Sequence, residues 1–179
     1  MKAVADRKKA EHIGEYLIYM YQIEDLIRSY QGNMEEIYTY VISHYPVSEE
    51  EKQEIRNWFE EILRAMQEQR ILEKGHLREL HEVVGTLLAL HYSLLKTDEG
   101  YVQLIHRAKP HLFEAIEASG EEPLGNEIQI CLNGVYGLLL NRLLGKHVGE
   151  RQLQAAEAFG SVLGRLNFSY QQKIFLSTN

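Results

Sequence analysis

The stretch IGEYLIYMYQIEDLIRSY, residues 13–30, decides the fold class. Ile13, Tyr16, Met20, Ile23, Ile27 and Tyr30 fall alternately three and four apart. That spacing lines one face of a helix with 3.6 residues per turn. A half-buried strand would alternate with a period of two, and the extended apolar patterns of this chain do not. The helix is expected to begin before Ile13. Gly32-Asn33 then supply a stop and a fresh N-cap.

The same period continues downstream. A short second helix carries Ile37, Tyr40 and Val41, and Pro46 ends it. Ser48 followed by Glu51 forms a capping box, in which hydroxyl and carboxylate each satisfy a free backbone amide. The third helix uses Ile55, Phe59, Ile62 and Met66, with Trp58 beside them, and is expected to stop near Gly75. The fourth runs through Leu77, Leu80, Val84, Leu87, Leu94 and Leu95. Val83, Leu88 and Leu90 widen its apolar arc, which marks a central helix.

Thr97-Asp98 caps a fifth helix through Tyr101, Ile105, Ala108, Leu112 and Ile116. Pro110 lies inside that pattern and predicts a kink or a break. Residues 119–126 read as a loop. A sixth helix follows through Ile128, Cys131, Val135, Leu138 and Leu139 to Gly145. The last carries Leu153, Ala156, Phe159, Leu163, Leu166 and Tyr170, with fraying expected from Ile174. Short connections favour antiparallel neighbours. The expectation is therefore an all-α, single-domain, mostly antiparallel bundle of about six to seven helices spanning residues 1–179, with the 119–126 loop as the point of any subdivision.

Composition narrows the function classes. The 179 residues are 45% hydrophobic and 25% charged, enough for an ordinary globular core. A formal charge of −7 opposes a phosphate backbone, so no nucleic-acid partner is expected. The basic cluster from Lys2 to Lys9 reads as a solvated helix start. Cys131 is the single cysteine, which forbids an intrachain disulfide and fits a reducing compartment. The opening residues lack the basic-then-apolar pattern of a signal peptide. No apolar run approaches the roughly 20 residues that span a bilayer. A cytoplasmic protein with no membrane partner is expected.

Chemistry-bearing motifs are scarce. Eight histidines occur, yet none forms a His-x-x-x-His pair that would set two imidazoles on one helix face. The one Glu-x-x-His match, Glu73 to His76, straddles Gly75, whereas a di-iron bundle needs two such motifs projecting inward. Gly134 and Gly137 sit within a helix pattern and so do not form a phosphate loop. Cys131 falls on the apolar side of its helix, as an inert buried thiol would. No catalytic residue, metal or cofactor is assigned.

What remains are polar residues at apolar helical angles. His91 continues the seam of Leu77, Leu80, Val84 and Leu87, so it should point inward. It reads as a hydrogen-bonded core histidine or as a pocket-lining group. Arg142 shares the angle of Val135, Leu138 and Leu139, near a helix end where a cation suits the backbone dipole. Glu24 borders Leu17, Met20 and Ile27, with Arg28 four residues on as an ordinary surface partner. Convergence of Glu24, His91 and Arg142 on one polar spot would make a small-molecule site.

Tyrosine crowds the first quarter of the chain. Tyr16, Tyr19 and Tyr38 head the candidates for a self-association face, the alternative being a rim of partly buried rings. Ala156, Gly160 and Gly164 suggest close helix contact along the last helix, within the chain or across a dimer.

Two runs carry a resemblance, GEYLIYMYQIEDLIR at 14–28 and LNGVYGLLL at 132–140. With the chain length, they resemble a bacterial family of all-helical proteins catalogued as a domain of unknown function. The resemblance implies the fold and a cytoplasmic bacterial setting, and it brings no activity or binding residues. The expected function is a non-enzymatic helical interaction or structural protein, homodimeric. The alternative is a small-molecule binder or enzyme with a pocket between helices.

Overall fold

The computed structural model describes residues 1–120 and 123–177, with side chains through Lys173. Glu121 and Glu122 of the expected loop lie outside the described residues. So do the side chains from Ile174 on, where fraying is expected.

The all-α expectation holds. Among the described residues there are eight α-helices and one short 3-10 turn, and no strand. The helices are α1 (Lys2–Glu11), α2 (Ile13–Ser29), α3 (Met34–Tyr40), α4 (Glu49–Glu68), α5 (Arg78–Thr97), α6 (Glu99–Ser119), α7 (Glu127–Leu143) and α8 (Glu150–Ser177). The 3-10 turn, Ile42–His44, follows α3. The count exceeds six to seven because the first expected helix is two. At the break, the Ile13 amide donates to Asn167 Oδ1 at 2.9 Å instead of to a carbonyl one turn back. Gly14 is the second residue of α2, directly beside that spot.

Two compact units make up the chain. Unit 1 is Met1–Glu11 with Glu15–Glu82, and unit 2 is His12–Gly14 with Val83–Asn179. The chain passes between them within α5, while the 119–126 loop lies inside unit 2. In unit 1, Leu17, Met20, Tyr21, Ile23 and Ile27 of α2 are buried, as are Ile55, Trp58, Phe59, Ile62 and Met66 of α4. The capping box is present, with Ser48 accepting from the Glu51 amide and Glu51 accepting from the Ser48 amide. Asn33 caps α3 as the sequence suggests.

One helix end departs from expectation. α4 stops at Glu68, well short of Gly75. The Ile71 amide reaches back to the Met66 carbonyl at 2.9 Å, and the Arg70 amide to that of Gln67 at 3.0 Å. This closing pattern puts Arg70 in the left-handed region, φ 57°, where glycine is usual. No glycine announced the stop, so the sequence did not show it.

In unit 2, α6, α7 and α8 pack on one another. Gly134 lets α7 and α8 approach closely, since a Cβ there would fall 2.5 Å from the Phe159 ring. Asp98 caps α6, accepting from the Tyr101 amide at 2.9 Å and pairing with Arg165 of α8. That backbone bond and then Arg165 hold its carboxyl below the usual carboxylate range. Of the kink or break expected at Pro110, the break is absent, since α6 runs continuously through it. Pro110 and His106 are both exposed, so the carbonyl that loses its partner can be met by water.

Candidate functional site

Two histidine environments stand out, one in each unit, a half-buried one at His76 and a buried one at His91. In unit 1, α2 places Glu24 one turn before Arg28, facing the loop that joins α4 to α5. That loop has no ladder or helix to satisfy its backbone, and the two side chains do so instead. Glu24 is fully buried. Its Oε1 accepts the Leu77 amide at 2.8 Å, and its Oε2 lies 2.5 Å from His76 Nδ1. Arg28 donates to the carbonyls of Ile71 and Gly75 and pairs with Asp25 at 2.8 Å. The His76 ring stacks on Tyr21 with centroids 3.7 Å apart. The expected surface pair of Glu24 with Arg28 is thus replaced by a clamp in which both hold a loop.

In unit 2, α5 carries His91 into the core, where it is 2% exposed. Its Nδ1 meets the hydroxyl of Tyr101, on the second residue past the start of α6, at 2.7 Å. Burial lowers the His91 pKa, and Glu127 opposes that shift by its charge. Burial also raises the Tyr101 hydroxyl well above its ordinary value. The ring is therefore neutral at physiological pH. His91 lines a groove of about 320 Å³ together with Tyr92, Leu95, Val102, Ile105, Lys109, Phe113, Ile116 and Glu127. Tyr92, Phe113 and Ile116 are each about half exposed.

Of the three residues expected to converge, Glu24 finds its partners in His76 and Leu77, and His91 finds Tyr101. Arg142 takes the helix-end reading and does not point inward. It is exposed in the last turn of α7. Burial on α7 is concentrated from Ile128 to Tyr136 and fades to half-burial over Leu138–Leu140. The seam angle was right, but the helix outruns its packing partner before Arg142. Cys131 is buried as expected, and burial, then Glu127, push its thiol up to about 12. His76, Tyr101 and Glu127 escaped sequence reasoning. His76 sits in a loop with no period, and its partner lies 52 residues away.

The tyrosine candidates are engaged within unit 1. Tyr16 is buried, with the Lys9 ammonium 5.2 Å above its ring. The half-buried Tyr19 donates to the Met1 carbonyl at 3.4 Å. Tyr38 donates to Glu49 at 3.4 Å, and Arg56 lies over its ring at 5.5 Å.

Together these features define an all-helical protein in which His76 pairs with a buried carboxylate and the buried His91 with a tyrosine hydroxyl. No group of three or more metal-binding side chains assembles among the described residues. No helix there is long and apolar enough to cross a membrane. The chain belongs to the family described as Domain of unknown function (DUF4924), which matches residues 2–174. No curated protein and no solved structure matches it.

Proposed function

We propose that this chain is a non-enzymatic, cytoplasmic, bacterial interaction protein that works as a homodimer, with α8 at the interface. One observation supports the reading. Leu153, Gly160, Gly164 and Phe168 fall on one stripe of α8, at spacings of seven, four and four. All four are exposed. A Cβ added at Gly160 or Gly164 would meet nothing within 4 Å, so neither glycine serves packing inside the chain. Glycine in a helix interior costs about 1 kcal/mol relative to alanine. Two such residues between exposed apolar ones suit the close approach of a second helix. Exposed Leu143 and Leu144 at the end of α7 add apolar surface near the start of that stripe in the sequence. Glu157 lies on the same stripe and is the charged group such an interface must keep at its rim.

Light scattering after size exclusion tests the proposal on the full chain. The expected mass is twice 20.8 kDa, and Gly160→Arg should return it to the monomer without loss of helix signal. A natural chain that stays monomeric at every concentration overturns the reading.

A further inference from the structure

We propose that the groove between α5 and α6 binds an apolar small molecule carrying one neutral carbonyl oxygen, received by the Nε2–H of His91. The argument starts at the floor of the groove. His91 is the lining side chain there that is both polar and more than nine-tenths buried. The Tyr101 hydroxyl is itself fully buried and has one proton to place. A buried hydroxyl that donates nowhere is costly, so it donates to His91 Nδ1. A neutral ring that accepts at Nδ1 carries its hydrogen on Nε2, and burial favours the neutral ring. The floor of the groove therefore offers one hydrogen-bond donor and calls for an acceptor.

The walls define the rest of the ligand. Tyr92, Leu95, Val102, Ile105, Phe113 and Ile116 supply apolar surface on both sides. The volume, about 320 Å³, is at the small end of ligand pockets. Charge then selects among acceptors. Glu127 lines the groove and acts electrostatically on both His91 and Tyr101. A carboxylate brought to His91 would meet that negative charge, whereas a ketone, ester or amide oxygen would not. Two exposed basic residues, His106 and Lys109, also line the groove, and the Lys109 ammonium lies 5.7 Å over the Phe113 ring. An acid would anchor at that ammonium, away from the floor. Two other grooves, of about 330 and 380 Å³, are lined by polar residues that are exposed or half-buried; His111 in the first has a buried Nδ1 with no hydrogen-bond partner, but few apolar residues line that groove.

The test uses the full chain and three probes of equal chain length, 2-nonanone, nonane and nonanoate, followed by ligand-observed NMR titration. The ketone is expected to bind about three- to tenfold more tightly than the alkane, the advantage of one net hydrogen bond. His91→Phe should bring the ketone down to the alkane. Glu127→Gln, on a half-buried residue in the first turn of α7, should strengthen nonanoate and leave the ketone unchanged. Equal affinity for ketone and alkane overturns the proposal, as does binding of none of the three. Nonanoate binding most tightly to the natural chain would also overturn it, since the head group would then sit at Lys109.

Discussion

The half-buried His76 of unit 1 and the buried His91 of unit 2 differ in what holds them. His76 in unit 1 is held by a carboxylate, which is itself held by a backbone amide, and the loop around it is tied down by Arg28. The Arg28 Nε is buried without a partner, but the Glu24 carboxylate, the His76 Nδ1 and the Leu77 amide answer one another within the unit. His91 in unit 2 is answered on one nitrogen only, by a neutral hydroxyl, and lines an apolar groove. A buried polar group closed on both sides stabilises a fold. One left with a free donor beside an open apolar space is suited to recognition.

The comparison can be broken most easily at Glu24. Glu24→Ala would strand the Leu77 amide and remove the partner of His76. We expect a loss of about 3 kcal/mol in urea unfolding, from a buried unsatisfied donor plus a lost hydrogen bond to a charged group. Glu24→Gln keeps an acceptor for the amide and should recover most of it. If Glu24→Ala were as stable as the natural chain, the clamp would not be structural.

A smaller effect is expected at Tyr101→Phe, about 1 kcal/mol, because one neutral hydrogen bond is lost and the ring fills the same space. Its more telling readout is the His91 ring, whose nitrogen NMR signals should lose the fixed Nε2–H pattern. Retention of that pattern would show that the hydroxyl does not set the tautomer.

The smallest expected effect is in pH. Burial depresses His91 below its ordinary 6.5, so the unfolded chain takes up the proton more readily than the folded one. The stability that His91 contributes as a neutral ring is present above 6.5 and is lost as pH falls below it toward the folded value. Unfolding curves for the natural chain and His91→Phe should therefore converge with falling pH, in the window just below 6.5. Parallel curves there would mean that His91 titrates in the fold as it does in water.

Much of the fold was legible because its signals are local. The seam of α2, the Ser48–Glu51 box, the Asn33 and Asp98 caps and the burial of Cys131 each depend on residues within a few positions of one another. The stop of α4 was not legible, because Arg70 adopts a conformation that glycine usually announces. Nor was the break before Ile13, which depends on Asn167 at the far end of the chain. The inward aim of His91 followed from its angle on the helix, but Tyr101 as its partner did not, since a seam gives direction without neighbours. For Arg142 the sequence left a site and a helix-end cation open, and its exposed position fits the second. Its angle matched the seam, and nothing in a periodic pattern tells where the packing partner ends.

By itself the sequence determined that this protein is helical, because hydrophobic period is a property of the chain alone. It also determined which face of α2 is buried. Only the tertiary structure decided that Glu24 holds a loop, that His91 is neutral over a groove, and that Gly160 and Gly164 face open space. Those outcomes depend on which surfaces meet, and the energy of a buried polar group is set by the partner it finds there.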